Sequence, residues 1–402
     1  MDPVTGALER QIAAATAARG GKLGSFLKGS ESIFQSEMRR LVGEIQAAIT
    51  TAAQNISNGQ SPGSPSPIPS TLVSGQSSSQ RLYRIQAIPG KGQGMIAASA
   101  IPKGARILCE APTVKIPGNP QDETSALLLN MVLTQQLDNL SSQARQGFYA
   151  LHSNYGSEYP RAVGIAKTNA LPLGHNVREG GIFLEASRIN HSCLNNAENT
   201  WNVPLGKLTI HATLDIPPGE EVTISYAAAF LSYSERQAHL LDKFGFRCTC
   251  ARCALSPAER KQSDQRLQRL VALEAEIGDG VRIVTTPLAC LKKTRQMLQL
   301  LREEGMNEAT ISRVYYDAFQ VAIAHGDQAR ARVFVKRWYE NKVVVEGEDG
   351  ENAVRAKALA DNPSSHRLYG TTMKWKQAAG TVPSGLSEEA FESWLWRENG
   401  VA

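Results

Sequence analysis

An α+β fold is expected for this 402-residue chain, with a β-rich domain in front and helices behind. Three observations carry that expectation. Between Arg81 and Tyr226, short β-prone runs alternate with Gly- and Pro-rich turns. Residues 121–155 interrupt this texture with a helical pattern, which reads as an insertion inside the β domain. After Cys253, four helix-length segments with apolar steps follow at 258–276, 288–304, 308–325 and 327–344.

Taken in order, residues 1–55 read as helix. Phe34, Met38, Leu41, Val42, Ile45 and Ile49 recur at three- and four-residue steps, and Ser30 is placed to cap them. Such a helix either packs on the main body or serves as a short coiled-coil or partner-binding element. Residues 56–80 form a composition break with Ser61-Pro62-Gly63-Ser64-Pro65-Ser66-Pro67 at its centre. That composition buries too little apolar surface to offset chain entropy, so a flexible linker is expected.

Residues 81–246 make the β-rich domain. Strands are expected around Leu82, Arg84 and Gln86, and over Met95–Ala98, Arg106–Cys109, Leu208–Ala212 and Val222–Tyr226. Pro102-Lys103-Gly104 and Pro217-Pro218-Gly219 are turns between them. In the insertion, Leu127, Leu128, Met131, Val132 and Leu137 are expected on one side. A cysteine-rich segment occupies 247–256. The helical region spans 257–360, with Leu267, Leu270, Val271 and Leu273 as an apolar stripe and Gly280, Gly305 and Gly326 as punctuation. No strict internal period marks a named repeat. The polar tail at 361–402, with Trp375, Trp394 and Trp396, receives no functional reading.

Composition narrows the class. A hydrophobic content of 42% is enough for a real core. The formal charge of +5, on 43 basic and 38 acidic side chains, is dispersed rather than blocked, so direct nucleic-acid binding is not expected. No run of eighteen apolar residues exists, so no membrane span is expected. Met1–Arg19 contains Glu9 and Arg10 and no apolar core, unlike a secretory signal. Six cysteines, three of them within Cys248–Cys253, look like metal ligands in a reducing, nuclear or cytoplasmic setting rather than a disulfide framework.

Three motifs carry the chemistry. Asn190-His191-Ser192-Cys193 sets two short polar groups in an apolar neighbourhood, and a buried pair of this kind must be hydrogen-bonded. Gly219-Glu220-Glu221-Val222-Thr223-Ile224-Ser225-Tyr226 places a phenol at an expected strand end. Cys248-Thr249-Cys250-Ala251-Arg252-Cys253 supplies three thiolates, one short of a tetrahedral zinc site. Lys91-Gly92-Gln93-Gly94 adds a fourth, weaker signal: either a plain β-turn or a place where backbone meets a ligand closely. On spacing alone, Asn190 and His191 either pin a tight loop or bind a ligand.

In this order and spacing, the motifs resemble the SET domain family of protein lysine methyltransferases. The resemblance covers residues 81–253. It is closest to the fungal-type and SET–MYND proteins, through Ser187-Arg188-Ile189-Asn190-His191-Ser192-Cys193 and the Cys-x-Cys-x-x-Cys tail. The string Ile101-Pro102-Lys103-Gly104 resembles the family's second strand. The resemblance implies a β-rich SET domain with a knot-like crossing, a post-SET zinc segment, and methyl transfer from S-adenosylmethionine to a lysine amine.

It further implies the roles of individual residues. Tyr226 is the catalytic residue and also meets the cofactor. Gly92, Gln93, Gly94, Asn169, Asn190, His191 and Phe246 are the other cofactor-binding residues, with Phe246 stacking on adenine. Cys193 is the fourth zinc ligand beside Cys248, Cys250 and Cys253; on composition alone Cys109, Cys290 or a histidine stay open for that place. Phe246 also fits as a hydrophobic plug.

Two departures stand out. Asn195 replaces a proline that the subgroup carries, while Asn196 is kept. No cysteine lies between Cys109 and Cys193, so the MYND finger and its partners do not transfer. The implied partner is a protein substrate with an accessible lysine, with a second protein partner at the helical C-terminal region. An inactive cofactor-binding scaffold and a purely structural zinc protein are the competing readings.

Overall fold

The computed structural model describes residues 81–116, 126–174, 179–278 and 280–398. The expected N-terminal helix, its Ser30 cap, the linker at 56–80 and the first five residues of the insertion lie outside the described residues.

The chain opens with a hairpin of β1 (Tyr83–Ile88) and β2 (Gly92–Ala97), paired from Tyr83↔Ala97 to Ile88↔Gly92. Its three-residue turn contains Gly90 at φ +74°, and Gly92 follows at φ +73°, a conformation that disfavours any side chain with a Cβ. β3 (Arg106–Glu110) and β4 (Val114–Ile116) follow. The insertion then supplies α1 (Ala126–Asp138), α2 (Ser142–Tyr149) and α3 (Arg161–Asn169). The chain returns through β5 (Leu171–Pro172), β6 (Gly180–Ile182), β7 (Asn190–His191), β8 (Ala197–Asn202), β9 (Lys207–Ala212) and β10 (Glu221–Ile224).

Among the described residues these strands make three small sheets, ordered β1-β2-β10-β7, β3-β9-β8 and β4-β6-β5. Met95, Ile101, Phe183, Ile189, Leu208, Ile210 and Val222 fill the core between them. A separate cluster built on Leu133, Phe148 and Ile165 lies under the insertion.

Several details correct the sequence reading. In α1 the buried stripe is Leu129, Leu133 and Leu137, whereas Leu127, Leu128 and Met131 are exposed. This segment is apolar on more than one side, so spacing alone does not reveal which stripe meets the core. Val271 is likewise exposed, while Leu267, Leu270 and Leu273 are buried. The last strand ends at Ile224, so Tyr226 lies beyond it in a loop.

α4 (Tyr233–Phe244) starts at a capping box in which Ser232 and Glu235 satisfy each other's backbone N–H groups, and it ends at Gly245 in the left-handed conformation. The C-terminal region is helical where expected: α5 (Pro257–Ile277), α6 (Gly280–Thr285), α7 (Pro287–Glu303), α8 (Glu308–Ala324), α9 (Gln328–Glu346) and α10 (Glu351–Asp361). Among the described residues no helix is long and apolar enough to cross a membrane.

The tail that carried no reading closes over the turn between α8 and α9. Thr372, Trp375 and Gln377 donate backbone hydrogen bonds to Ala324, His325 and Gly326. Asp327, fully buried, pairs with Arg330 at 2.9 Å and with Arg397 at 2.7 Å, just past α11 (Glu388–Leu395).

The helical region is tied to the cysteine segment by a buried ion pair. Arg252 Nη2 lies 2.6 Å from Glu304 Oε2, and both side chains are nearly inaccessible. Burial raises the Glu304 carboxyl, but hydrogen bonds from Ser263, Arg266 and Arg252 outweigh it and hold the group below the ordinary carboxylate range. Its contribution to stability is therefore full above the unfolded value, about 4.3, and is lost as pH falls through the lower folded value.

Glu304→Ala leaves Arg252 as a buried, unpaired cation. We expect a loss of about 3–5 kcal/mol, read as a lower urea midpoint. A shift of less than about 1 kcal/mol, the value of an exposed pair, would show that this pair does not hold the junction.

Candidate active site

β10 brings the motifs together. It pairs antiparallel with β2 (Glu221↔Ile96, Val222↔Met95) and parallel with β7 (Thr223↔Asn190, Ile224↔His191). The Asn-His motif therefore lies one strand away from the glycine hairpin. The parallel pairing continues one residue past β7, where Ser192 N–H donates to Ile224 O at 3.1 Å.

Asn190 is fixed by its amide. Its Nδ2 donates to Gln93 O at 3.2 Å and to Glu221 Oε1 at 2.9 Å. Glu221 also pairs with Lys91 at 2.6 Å. A Cβ on Gly94 would stand 2.8 Å from Asn190 Nδ2 and 2.2 Å from Ile88 Cδ1, so only glycine lets those two side chains lie against the strand. Asn196 is buried. It donates to Glu221 O at 2.9 Å and accepts from Thr223 N–H at 2.8 Å, which keeps its loop ordered without the proline at 195.

Tyr226 is half-buried among aromatic rings. Its centroid lies 4.7 Å from that of Phe244 and 5.4 Å from that of His191; Phe246 lies 6.1 Å from His191. The phenol donates to Ile189 O at 2.5 Å. Burial, and then the Glu221 carboxylate, push this phenol above the ordinary tyrosine range, so it stays protonated in neutral solution. The Tyr226 N–H donates to His191 Nδ1 at 3.0 Å, and His191 Nε2 lies 3.3 Å from Cys193 Sγ. Burial pushes His191 down to about 4, so the ring is neutral. Both of its nitrogens are engaged inside the protein.

The ligand atoms of Cys193, Cys248, Cys250 and Cys253 all lie within 4.8 Å of one another. Cys193 Sγ is 3.8 Å from Cys248 Sγ and 3.5 Å from Cys253 Sγ. A zinc tetrahedron with Zn–S bonds of about 2.3 Å has edges of about 3.8 Å, so the donor set fits zinc. The thiols share hydrogen bonds: those from Cys193, Cys248 and Cys253 pull Cys250 far below the ordinary thiol range, while those with Cys248, Cys250 and Cys253 push Cys193 up. Gln237 on α4 holds the segment in place, donating to Cys248 O at 2.8 Å and accepting from Cys248 N–H at 3.1 Å.

The structure thus gathers Gly92, Gln93, Gly94, Asn190, His191, Tyr226, Phe246 and the four cysteines around β10. Cys109 and Cys290, the open alternatives for the fourth sulfur, are not in the cluster. Asn169 lies at the end of α3. Its amide donates to His152 O at 2.7 Å and Ile165 O at 2.8 Å, and only its carbonyl reaches towards the Asn-His segment, accepting from Ser187 Oγ at 3.5 Å. Sequence reasoning missed Glu221 as the anchor of Asn190, Phe244 as the ring against Tyr226, and Gln237 and His239 on α4. Glu221 stood inside a recognised motif. The other three gave no local signal, because the fold alone brings α4 to the site.

Two outcomes check this geometry. Cys250→Ser is expected to lose its metal, and emission spectroscopy should find far less than about one equivalent of zinc per chain; a full equivalent would remove the metal assignment. Gly94→Ala should displace the Asn190 amide while the domain stays folded. We expect ligand affinity at this site to fall about tenfold, about 1.4 kcal/mol and the scale of one lost hydrogen bond; unchanged affinity would show that the placement of the Asn190 amide does not matter for binding.

Residues 92–227 match the family described as SET domain. The histone-lysine N-methyltransferase set5 of Schizosaccharomyces pombe is 31% identical over 288 residues, which is 71% of this chain and 86% of that protein. The histone-lysine N-methyltransferase SET5 of Candida albicans is 35% identical over 98 residues, 23% of this chain and 20% of that protein. Human histone-lysine N-methyltransferase SMYD3 is 38% identical over 73 residues, 18% of this chain and 17% of that protein. With a site of this geometry and a relative matched over most of its length, the chain belongs to the SET domain family.

Proposed function

We propose that this chain is a protein-lysine N-methyltransferase that moves a methyl group from S-adenosylmethionine to a lysine side chain. The observation that carries the proposal is Tyr226, a neutral, half-buried phenol fixed by Ile189 and surrounded by His191 and Phe244. It stands two residues past β10, beside the strand pair that holds the Asn190 amide.

When bound, S-adenosylmethionine supplies an activated methyl on a sulfonium. In our reading Gly92, Gln93 and Gly94 offer open backbone to it, and the main chains of Asn190 and His191 offer donors and acceptors. Phe246 offers a flat apolar face. Gly92 has nothing within 4 Å of the place a Cβ would take, which leaves room for a ligand that approaches the backbone closely. Asn169 acts through its carbonyl rather than its committed amide.

A substrate amine, with a reference pKa of about 10.4, must lose a proton before it attacks. Burial among apolar rings disfavours its charged form and lowers that barrier. Tyr226 is no general base, since burial holds its own proton firmly. Its O–H is directed at Ile189 O, so the lone pairs of its oxygen remain to accept from the amine and to face positive charge on the moving methyl. The chain thus contributes mostly orientation and exclusion of water. Cys193, Cys248, Cys250 and Cys253 would hold zinc in a structural role and tie the segment bearing Phe246 to the Asn-His loop.

The partner is a protein with an accessible lysine. A second contact fits the helical region, where a groove of about 500 Å³ between α9 and α11 is lined by Val333, Val382 and Phe391 and rimmed by Arg332 and Lys336. Four clustered cysteines that suit a metal rather than a disulfide fit a nuclear or cytoplasmic location.

Transfer of labelled methyl from S-adenosylmethionine to proteins of a cell extract tests the reading. Labelled protein is expected with the unaltered chain. Tyr226→Phe should lower the rate about 100-fold, the scale of losing one oriented polar group at the reacting centre, with cofactor affinity little changed. An equal rate and product from both would sink the role of Tyr226; intact cofactor binding without any transfer would favour a scaffold.

A further inference from the structure

Tyr226 has no strand to hold it, because β10 stops at Ile224. Its backbone is instead gripped by two histidines. The N–H donates to His191 Nδ1 at 3.0 Å, and the carbonyl lies 3.1 Å from His239 Nε2. A carbonyl only accepts, so His239 must carry its proton on Nε2. An N–H only donates, so Nδ1 of His191 is unprotonated and its ring proton sits on Nε2. That proton faces Cys193 Sγ, 3.3 Å away.

The two histidines come from different elements. His191 lies on β7, within the Asn-His motif. His239 lies on α4, edge-on to Phe244 at 6.0 Å, and the same helix grips Cys248 through Gln237. The cysteine cluster therefore reaches the Tyr226 peptide along two routes. One runs from Cys193 through the His191 ring to the N–H, and the other from Cys248 through α4 and His239 to the carbonyl.

We infer that His191 and His239 are positioning residues that clamp the Tyr226 peptide from both sides, and that His191 transmits the state of the metal cluster to it. The inference rests on the methyl-transfer reading above. A misplacement of about 1 Å at a reacting group costs about 100-fold in rate. Partners that orient metal ligands change affinity or activity by about 10- to 100-fold. A loop residue held by two imidazoles is a point where both sensitivities meet. Neither ring needs to touch substrate or cofactor for this.

Four variants of the zinc-loaded full chain separate the parts. His239→Ala removes the donor to the carbonyl, and His239→Gln restores an amide N–H at the Nε2 position. His191→Asn keeps an acceptor near the Nδ1 position but loses the contact with sulfur. His191→Gln keeps a donor towards sulfur but loses the acceptor. Single-turnover methyl transfer, cofactor affinity and the rate of zinc release to a chelator are measured for each.

We expect His239→Ala to slow transfer at least about tenfold with cofactor affinity and zinc release unchanged, and His239→Gln to recover most of the rate. His191→Asn should release zinc faster than the unaltered chain, and His191→Gln should release it at the unaltered rate while slowing transfer at least about tenfold. Transfer by His239→Ala within twofold of the unaltered chain would overturn the clamp. So would a loss that the glutamine does not rescue, or one accompanied by weaker cofactor binding. Zinc release from His191→Asn at the unaltered rate would overturn the link to the cluster. If the unaltered chain transfers no methyl at all, the methyl-transfer reading fails instead, and the zinc-release arm still decides the link between His191 and Cys193.

Discussion

Four residues, Glu221–Ile224, hold the site together. By pairing with β2 on one edge and β7 on the other, β10 places segments from three distant parts of the chain within hydrogen-bonding reach. Parallel pairing of β10 with β7 requires a long connection, here residues 192–220, and β8 and β9 fill it. The strand is short, so its ends matter. Glu221 at one end anchors Asn190 and Lys91, and the chain beyond Ile224 delivers Tyr226 to the Ile189 carbonyl.

The cysteine cluster does for the following segment what β10 does for the sheet. Residues 245–256 carry little regular structure, so backbone pairing cannot fix them. Four sulfurs drawn from residues 193 to 253 close that gap, and a divalent ion among them would neutralise thiolates that otherwise compete for protons. The Arg252–Glu304 pair then extends the tie into the helical region, so the Asn-His segment, the cysteine segment and the C-terminal helices form one connected set. Burying such a pair is favourable only because Ser263 and Arg266 satisfy the remaining carboxylate sites.

The tail beyond Asp361 shows how a segment without apolar periodicity becomes ordered. Its backbone N–H groups pair with carbonyls exposed at the α8–α9 turn, where Gly326 at φ +78° opens the helix end. Arg330 and Arg397 converge on the buried Asp327, and Trp394 and Trp375 lie against those guanidinium groups. Each partner is unremarkable in sequence. Their value comes from meeting in a place without water, where charge pairing and stacking are both strengthened.

The sequence by itself determined the α+β class, four of the C-terminal helices nearly to their ends, and the grouping of three cysteines within Cys248–Cys253. These are local matters: periodicity, turn residues and ligand spacing are set by neighbours along the chain. Cys193 as the fourth sulfur came from resemblance, since Cys109 and Cys290 were equal on composition. Only the tertiary structure decided among them, and only it decided which face of α1 is buried, that the Asn169 amide donates to His152 and Ile165, and that His239 and Phe244 border Tyr226. Those facts depend on which surfaces meet once the chain is folded, and contacts between residues far apart in sequence leave no periodic trace in either partner.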